Sequence, residues 1–110
     1  MKHGLSKLLD RLEYKRSLNI SFDSGQLIDE VREAIGLYGD STFCVVWCDP
    51  KDDFVKDYFV IDNSEYLDED EQEALIADKS SFTKNRHADD MYIVTLSELM
   101  GVLEYQDRIS

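Results

Sequence analysis

Proline occurs once, cysteine twice and histidine twice in 110 residues, and each scarcity removes a class of protein. With one Pro and five Gly, the chain is neither collagen-like nor a proline-rich linker. Cys44, Cys48, His3 and His87 show none of the paired spacing that structural zinc requires, so neither a metal nor a cofactor is expected. No run of about 18 apolar residues is present, which excludes a spanning helix. The opening MKHGLSKLLDRLEYKR breaks its apolar stretch with charges and is not a secretory signal, so the expected location is the cytoplasm.

Motifs of catalysis are missing as well. There is no G-x-S-x-G elbow, no Walker phosphate loop and no G-x-G-x-x-G fingerprint. Cys44 or Cys48 with His87 is the one conceivable Cys–His pair, and nothing in the spacing orients it. The chain is therefore read as a protein that is not an enzyme, with a small enzyme or metal-binding module as the alternative. The two cysteines lie in TFCVVWCD, whose β-branched and aromatic residues favour a strand. Four residues along a strand cover roughly 13 Å, too far for a disulfide, so both are expected as reduced core thiols.

Positive charge is scarce. Twelve Lys and Arg face 24 Asp and Glu, a net charge of −12. A protein that binds DNA or RNA directly displaces counterions with a basic patch, and an anionic membrane surface repels a chain of this sign. Neither nucleic acid nor membrane is expected as a direct partner. A basic protein surface is, because opposite fields steer encounter.

What is present suffices for a core. Apolar residues make up 43% of the chain, with six Tyr, five Phe and one Trp, which argues against disorder despite the charge. The length fits one domain spanning 1–110. Leu5, Leu8, Leu9 and Leu12 recur at helical spacing; Leu18, Ile20 and Phe22 alternate as in a short strand. Leu27, Ile28, Val31, Ala34, Ile35 and Tyr38 form a second helical stripe, opened by an Asp23–Gln26 capping box and stopped by Gly39. STFCVVWC is apolar on both faces and reads as a central strand. The turn DPKDD and the return strand FVKDYFVID complete a hairpin. A short helix is expected from near Asp68, an exposed loop over KSSFTKNRHADD and a last strand at MYIVT. A final helix carries Leu96, Leu99, Met100 and Leu103 behind a Thr95–Glu98 capping box. The expected fold is α+β: a three- to four-stranded, mainly antiparallel sheet packed against three to four helices.

The feature with most chemical character is DNSEYLDEDEQEALIAD, eight acidic residues in the seventeen positions Asp62–Asp78. As a calcium loop it would place Asp62, Ser64, Asp68 and Glu73 at ligand positions. Leu67 then falls where glycine is required, and Tyr66 where the fifth-position ligand belongs. The surrounding belt, Asp49–Asp78, holds twelve carboxylates against Lys51 and Lys56, a net −10, whereas residues 1–20 carry net +3. One reading of the belt is a solvated face. The other is a binding face whose density approaches that of duplex DNA, about one charge per 1.7 Å. The second reading draws its contacts from Asp62, Glu65, Tyr66, Asp68, Glu69, Asp70, Glu71 and Glu73, with Asp52 and Asp53 from the hairpin tip. Tyr58 and Phe82 are further aromatic candidates.

In composition, though in no motif, this small acidic chain resembles phage-encoded nucleic-acid mimics, some anti-CRISPR and anti-restriction proteins among them. The resemblance implies an inhibitor that occupies the basic groove of a nuclease or another nucleic-acid-binding protein. An immunity protein or antitoxin neutralising a basic toxin would place carboxylates in the same way.

Overall fold

The hexapeptide FCVVWC can turn apolar side chains to both faces of a pleated strand, and the rest of the fold is arranged around that property. The computed structural model describes residues 4–16, 23–61, 68–82 and 86–109. The elements run α1 (Leu5–Arg16), α2 (Gly25–Tyr38), β1 (Phe43–Cys48), β2 (Val55–Val60) and α3 (Glu69–Phe82). After a 3-10 turn at Ala88–Asp90 come β3 (Met91–Thr95) and α4 (Leu96–Ile109). β1 is the central strand of the order β2-β1-β3, antiparallel to both neighbours. This is the expected α+β arrangement, with four helices on a three-stranded sheet among the described residues. The alternating stretch at Leu18, Ile20 and Phe22 lies outside the described residues.

Alternation along β1 builds two cores. Cys44, Val46 and Cys48 join Leu8 and Leu12 of α1, Val31 and Ala34 of α2, and Leu96, Leu99, Val102 and Leu103 of α4. Val45, with Phe43 and Trp47 beside it, points the other way and meets Ile76 and Leu75 of α3 with Met91 and Ile93 of β3. Three helices thus cover one face of the sheet, and α3 packs on the other. Each fully buried Leu or Val contributes on the order of 1.5–3 kcal/mol against exposure.

Local chemistry sets most boundaries where the sequence places them. Thr95 Oγ1 accepts from Glu98 N–H at 3.1 Å, and Glu98 Oε1 accepts from Thr95 N–H at 2.8 Å, a complete capping box on α4. Gly39, at φ +95°, ends α2 with its N–H on Ile35 O. Three expectations are corrected. Ser24, not Asp23, takes the cap position of α2, and Asp23 bonds Gly25 N–H instead of pairing with Gln26. Leu9 of the first stripe lies at the surface, 36% exposed. Lys79–Phe82, expected within a loop, is the last turn of α3, where the Ser80 and Ser81 hydroxyls bond back to Ala77 O and Asp78 O.

Candidate protein-interaction face

The hairpin tip and α3 treat their carboxylates in opposite ways. At the tip, Asp49 Oδ1 accepts from Lys51 N–H at 2.9 Å and Asp52 Oδ1 from Phe54 N–H at 3.1 Å, the short-range bonds that let aspartate make turns. Asp53 sits at φ +62°, a left-handed position that Asp tolerates better than most residues. The remaining oxygens meet cations: Lys56 Nζ lies 2.6 Å from Asp52 and 3.2 Å from Asp49. The Asp49 carboxyl is held below its usual range, chiefly by the Lys51 N–H and then by Lys56. Lys56 is raised; burial works against this, and the bonds to Asp52 and Asp49 outweigh it.

Asp53 belongs to a second cluster that the sequence did not reveal. Arg11 of α1 reaches Asp53 at 2.7 Å, Asp90 at 2.9 Å and the Tyr92 hydroxyl at 3.4 Å, tying α1 to the hairpin, the 3-10 turn and β3. Its side chain is 16% exposed, and its pKa is raised because these bonds outweigh the effect of burial. The available signal was its place beside the Leu8–Leu12 stripe, where an arginine stem covers core while its head seeks carboxylates. Asp52 and Asp53, at 21% and 23% side-chain exposure, are thus engaged by the protein's own cations and contribute little free charge at the surface.

On α3 the carboxylates stand at the surface. Asp68 caps the helix, its Oδ1 accepting from Glu71 N–H at 2.8 Å. Asp68, Glu69, Asp70, Glu71 and Glu73 are all exposed, while Gln72 and Ile76 turn into the protein. Gln72 and Ile76 stand four apart on one helical face, and the carboxylates fill the rest of the circumference. The Glu71 carboxyl is pushed up by the negative charge of Asp68 beside it, as like-charge crowding requires. Asp62, Glu65 and Tyr66 lie outside the described residues. Tyr58 does not join this face: its ring packs with the core under the three helices, on the sheet face opposite α3.

Around this face, two cations lie over aromatic rings of the same sheet surface. Lys79 Nζ stands 5.8 Å from the Phe59 centroid, and Arg86 lies 4.2 Å from that of Trp47 while pairing with Asp57 at 2.5 Å. Among the described residues, reactive groups are not gathered in a comparable way. Burial raises both Cys44 and Cys48 to about 12, so each is a neutral thiol near pH 7, and His87 is exposed while both thiols are buried. Among the described residues, no three His, Cys, Asp or Glu side chains are grouped to hold a metal ion, and no helix is long and apolar enough to cross a membrane. Compared with protein-family models, curated proteins and solved structures, the chain matches none.

Proposed function

We propose that this protein is an acidic interaction module that works in the cytoplasm as a nucleic-acid mimic. The N-terminal half of α3 enters the basic groove of a nuclease or another nucleic-acid-binding enzyme and inhibits it by occupancy, with no chemistry of its own. The observation that carries this reading is the exposed row Asp68, Glu69, Asp70, Glu71 and Glu73. Six helical residues rise about 9 Å, so these five carboxylates give roughly one charge per 1.8 Å, close to the ~1.7 Å of duplex DNA. The positive end of the helix offsets part of their repulsion, which lets the fold sustain the density.

The test is affinity capture on the immobilised full chain, followed by measurement of the captured protein's affinity at several salt concentrations. Duplex DNA should compete for the captured enzyme, and the affinity should fall steeply with salt. The combined change Asp68→Asn, Glu69→Gln, Asp70→Asn and Glu71→Gln should weaken binding by about 100-fold, at roughly 0.7 kcal/mol for each exposed charge. An unchanged affinity in that variant, with its fold intact by circular dichroism, rules the reading out.

A further inference from the structure

Among the described residues, β2 is an edge strand, and its outward side is only partly closed. The bond from Ile61 N–H to Phe43 O at 2.9 Å sets the phase of the ladder. Asp57, Phe59 and Ile61 turn their backbone groups towards β1, and Tyr58 and Val60 turn theirs away. An extra residue, Lys56, is accommodated where Cys48 pairs with Val55 and Trp47 with Asp57. At this bulged start, the outward N–H and C=O of Val55 are bonded by the Gln106 side chain, at 2.7 and 3.0 Å. Tyr58 N–H is bonded by Asp57 Oδ1 at 2.8 Å. Among the described residues, no hydrogen bond reaches Val60 N–H or the carbonyls of Tyr58 and Val60. Natural sheets close such edges, and here the closing stops partway along the strand.

Next to the open part, at Lys56 and Asp57, lies a mainly acidic groove. Asp23, Gln26, Leu27 and Glu30 on the α2 side and Lys56 and Asp57 on β2 line a cleft of about 520 Å³. Beyond it, the Tyr58 phenol is raised by burial and then by the charge of Glu30, a residue that also lines the cleft. The cation of the cleft, Lys56, is already held between Asp49 and Asp52. Among the described residues, Asp23 and Glu30 therefore line the groove without a matching positive charge from its other lining residues. An apolar strand laid here would desolvate these carboxylates without compensation, whereas a cationic one pairs with them.

We propose that the groove between α2 and the β2 edge binds an extended segment of a partner protein that carries Lys or Arg at alternate positions. The segment adds as a strand at Tyr58 and Val60 and sets its cationic side chains against Asp23 and Glu30. Main-chain bonds to the edge supply affinity, and the carboxylates select for positive charge. The Gln106 amide limits the added strand at the Val55 end. This surface borders the helix layer, on the face of the sheet away from α3, so the proposal does not depend on α3 entering a basic groove.

The experiment uses the full chain and an array of hexapeptides in which Lys or Arg alternates with each aliphatic or aromatic residue. Retained peptides are then titrated into 15N-labelled protein. The expected result is retention of Lys/Arg peptides and not of their Glu counterparts, with amide shifts at Tyr58 and Val60 and slowed exchange of the Val60 N–H. Glu30→Lys should weaken binding by about tenfold, while neutralising Asp68–Glu71 leaves it within about twofold. N-methylation of alternate peptide amides should abolish binding, because it removes the donors a strand needs. Retention of no peptide, shifts confined to α3, or indifference to N-methylation would each overturn the proposal.

Discussion

Gln106 shows how much one polar side chain can hold. It is fully buried on α4, donates to Ser24 Oγ at 2.9 Å and Val55 O at 3.0 Å, and accepts from Val55 N–H at 2.7 Å. Its amide acts as one more rung of sheet on β2 and fastens the start of α2 to the same point. Gln106→Leu keeps the volume but strands the Val55 groups away from water, so a loss of about 2–4 kcal/mol is expected from urea unfolding. Ser24→Ala removes one of these partners and should cost about 1 kcal/mol; equal losses in the two variants would refute the rung. The buried thiols lead to a prediction about pH. In the unfolded chain Cys44 and Cys48 ionise near 9, but burial holds both at about 12 in the fold, reinforced at Cys44 by Glu98. At Cys48 the Arg11 charge opposes burial, and Asp53, Asp90 and Asp52 add to it. The folded state thus binds more protons than the unfolded one between pH 9 and about 12, and stability must fall as pH rises through that window. Lys56, raised above 10.5, adds a further loss at the upper end, as pH passes its folded value. Urea midpoints at pH 7, 9 and 11 should decline in order. Cys44→Val with Cys48→Ala should flatten the decline, and a parallel decline in that variant would remove the thiols as its cause.

At the scale of elements, α3 sets its cap against its own crowding. Asp68 bonds Glu71 N–H and also repels the Glu71 carboxylate. Asp68→Asn retains an oxygen for the cap and removes the charge, so the fold should be as stable as the parent or more so. Asp68→Ala loses the cap and should cost about 1 kcal/mol. Thermal melts of the two variants separate these effects, and an Asn variant as weak as the Ala one would show that charge, not the bond, holds the helix start. Glu71 also gives a sign for acid. Its pKa is raised in the fold, so protonation just above its ordinary value of 4.5 relieves repulsion and favours the folded state. The elements differ in how well the sequence announces them. Thr95 and Glu98 face each other with nothing competing, and their box is read directly. Asp23 and Gln26 have the same spacing, but Ser24 stands nearer the first turn and takes the cap position. The end of α3 is hidden because serine in a helix reads as loop, and only the structure shows Ser80 and Ser81 bonding back to carbonyls of their own helix. The groove beside β2 is more deeply hidden: it depends on a ladder phase fixed by Ile61 and on the placing of Gln106, neither of which local spacing encodes.

Over the whole molecule, the twelve carboxylates of Asp49–Asp78 form a single block in the sequence, and those among the described residues divide in the fold. Asp49, Asp52 and Asp53 of the hairpin tip lock to Lys56 and Arg11, at distances of 2.6–3.2 Å, while Asp68, Glu69, Asp70 and Glu71 at the start of α3 are exposed. Counting charge along the chain revealed the block; it could not reveal the division, because Arg11 lies 42 residues from Asp53 in sequence. Two populations of charge respond differently to salt. Exposed like charges repel through solvent and are screened within about 10 Å at 0.1 M, whereas the partly buried pairs of Arg11 are screened much less. With net charge −12 the repulsive population dominates, so added salt should stabilise the free protein. Going from about 0.02 to 0.5 M NaCl should raise the melting temperature by a few degrees, equivalent to ~1 kcal/mol in a domain of this size. The same salt should weaken capture of a basic partner through α3, since there the screened interaction is attractive. Opposite responses of stability and binding to one variable distinguish a carboxylate row that meets a cationic surface from one that meets only water. Neutralising Asp68–Glu71 should reduce both slopes together. If it flattened the stability slope and left the salt dependence of capture intact, the partner would be held by some other surface of the protein.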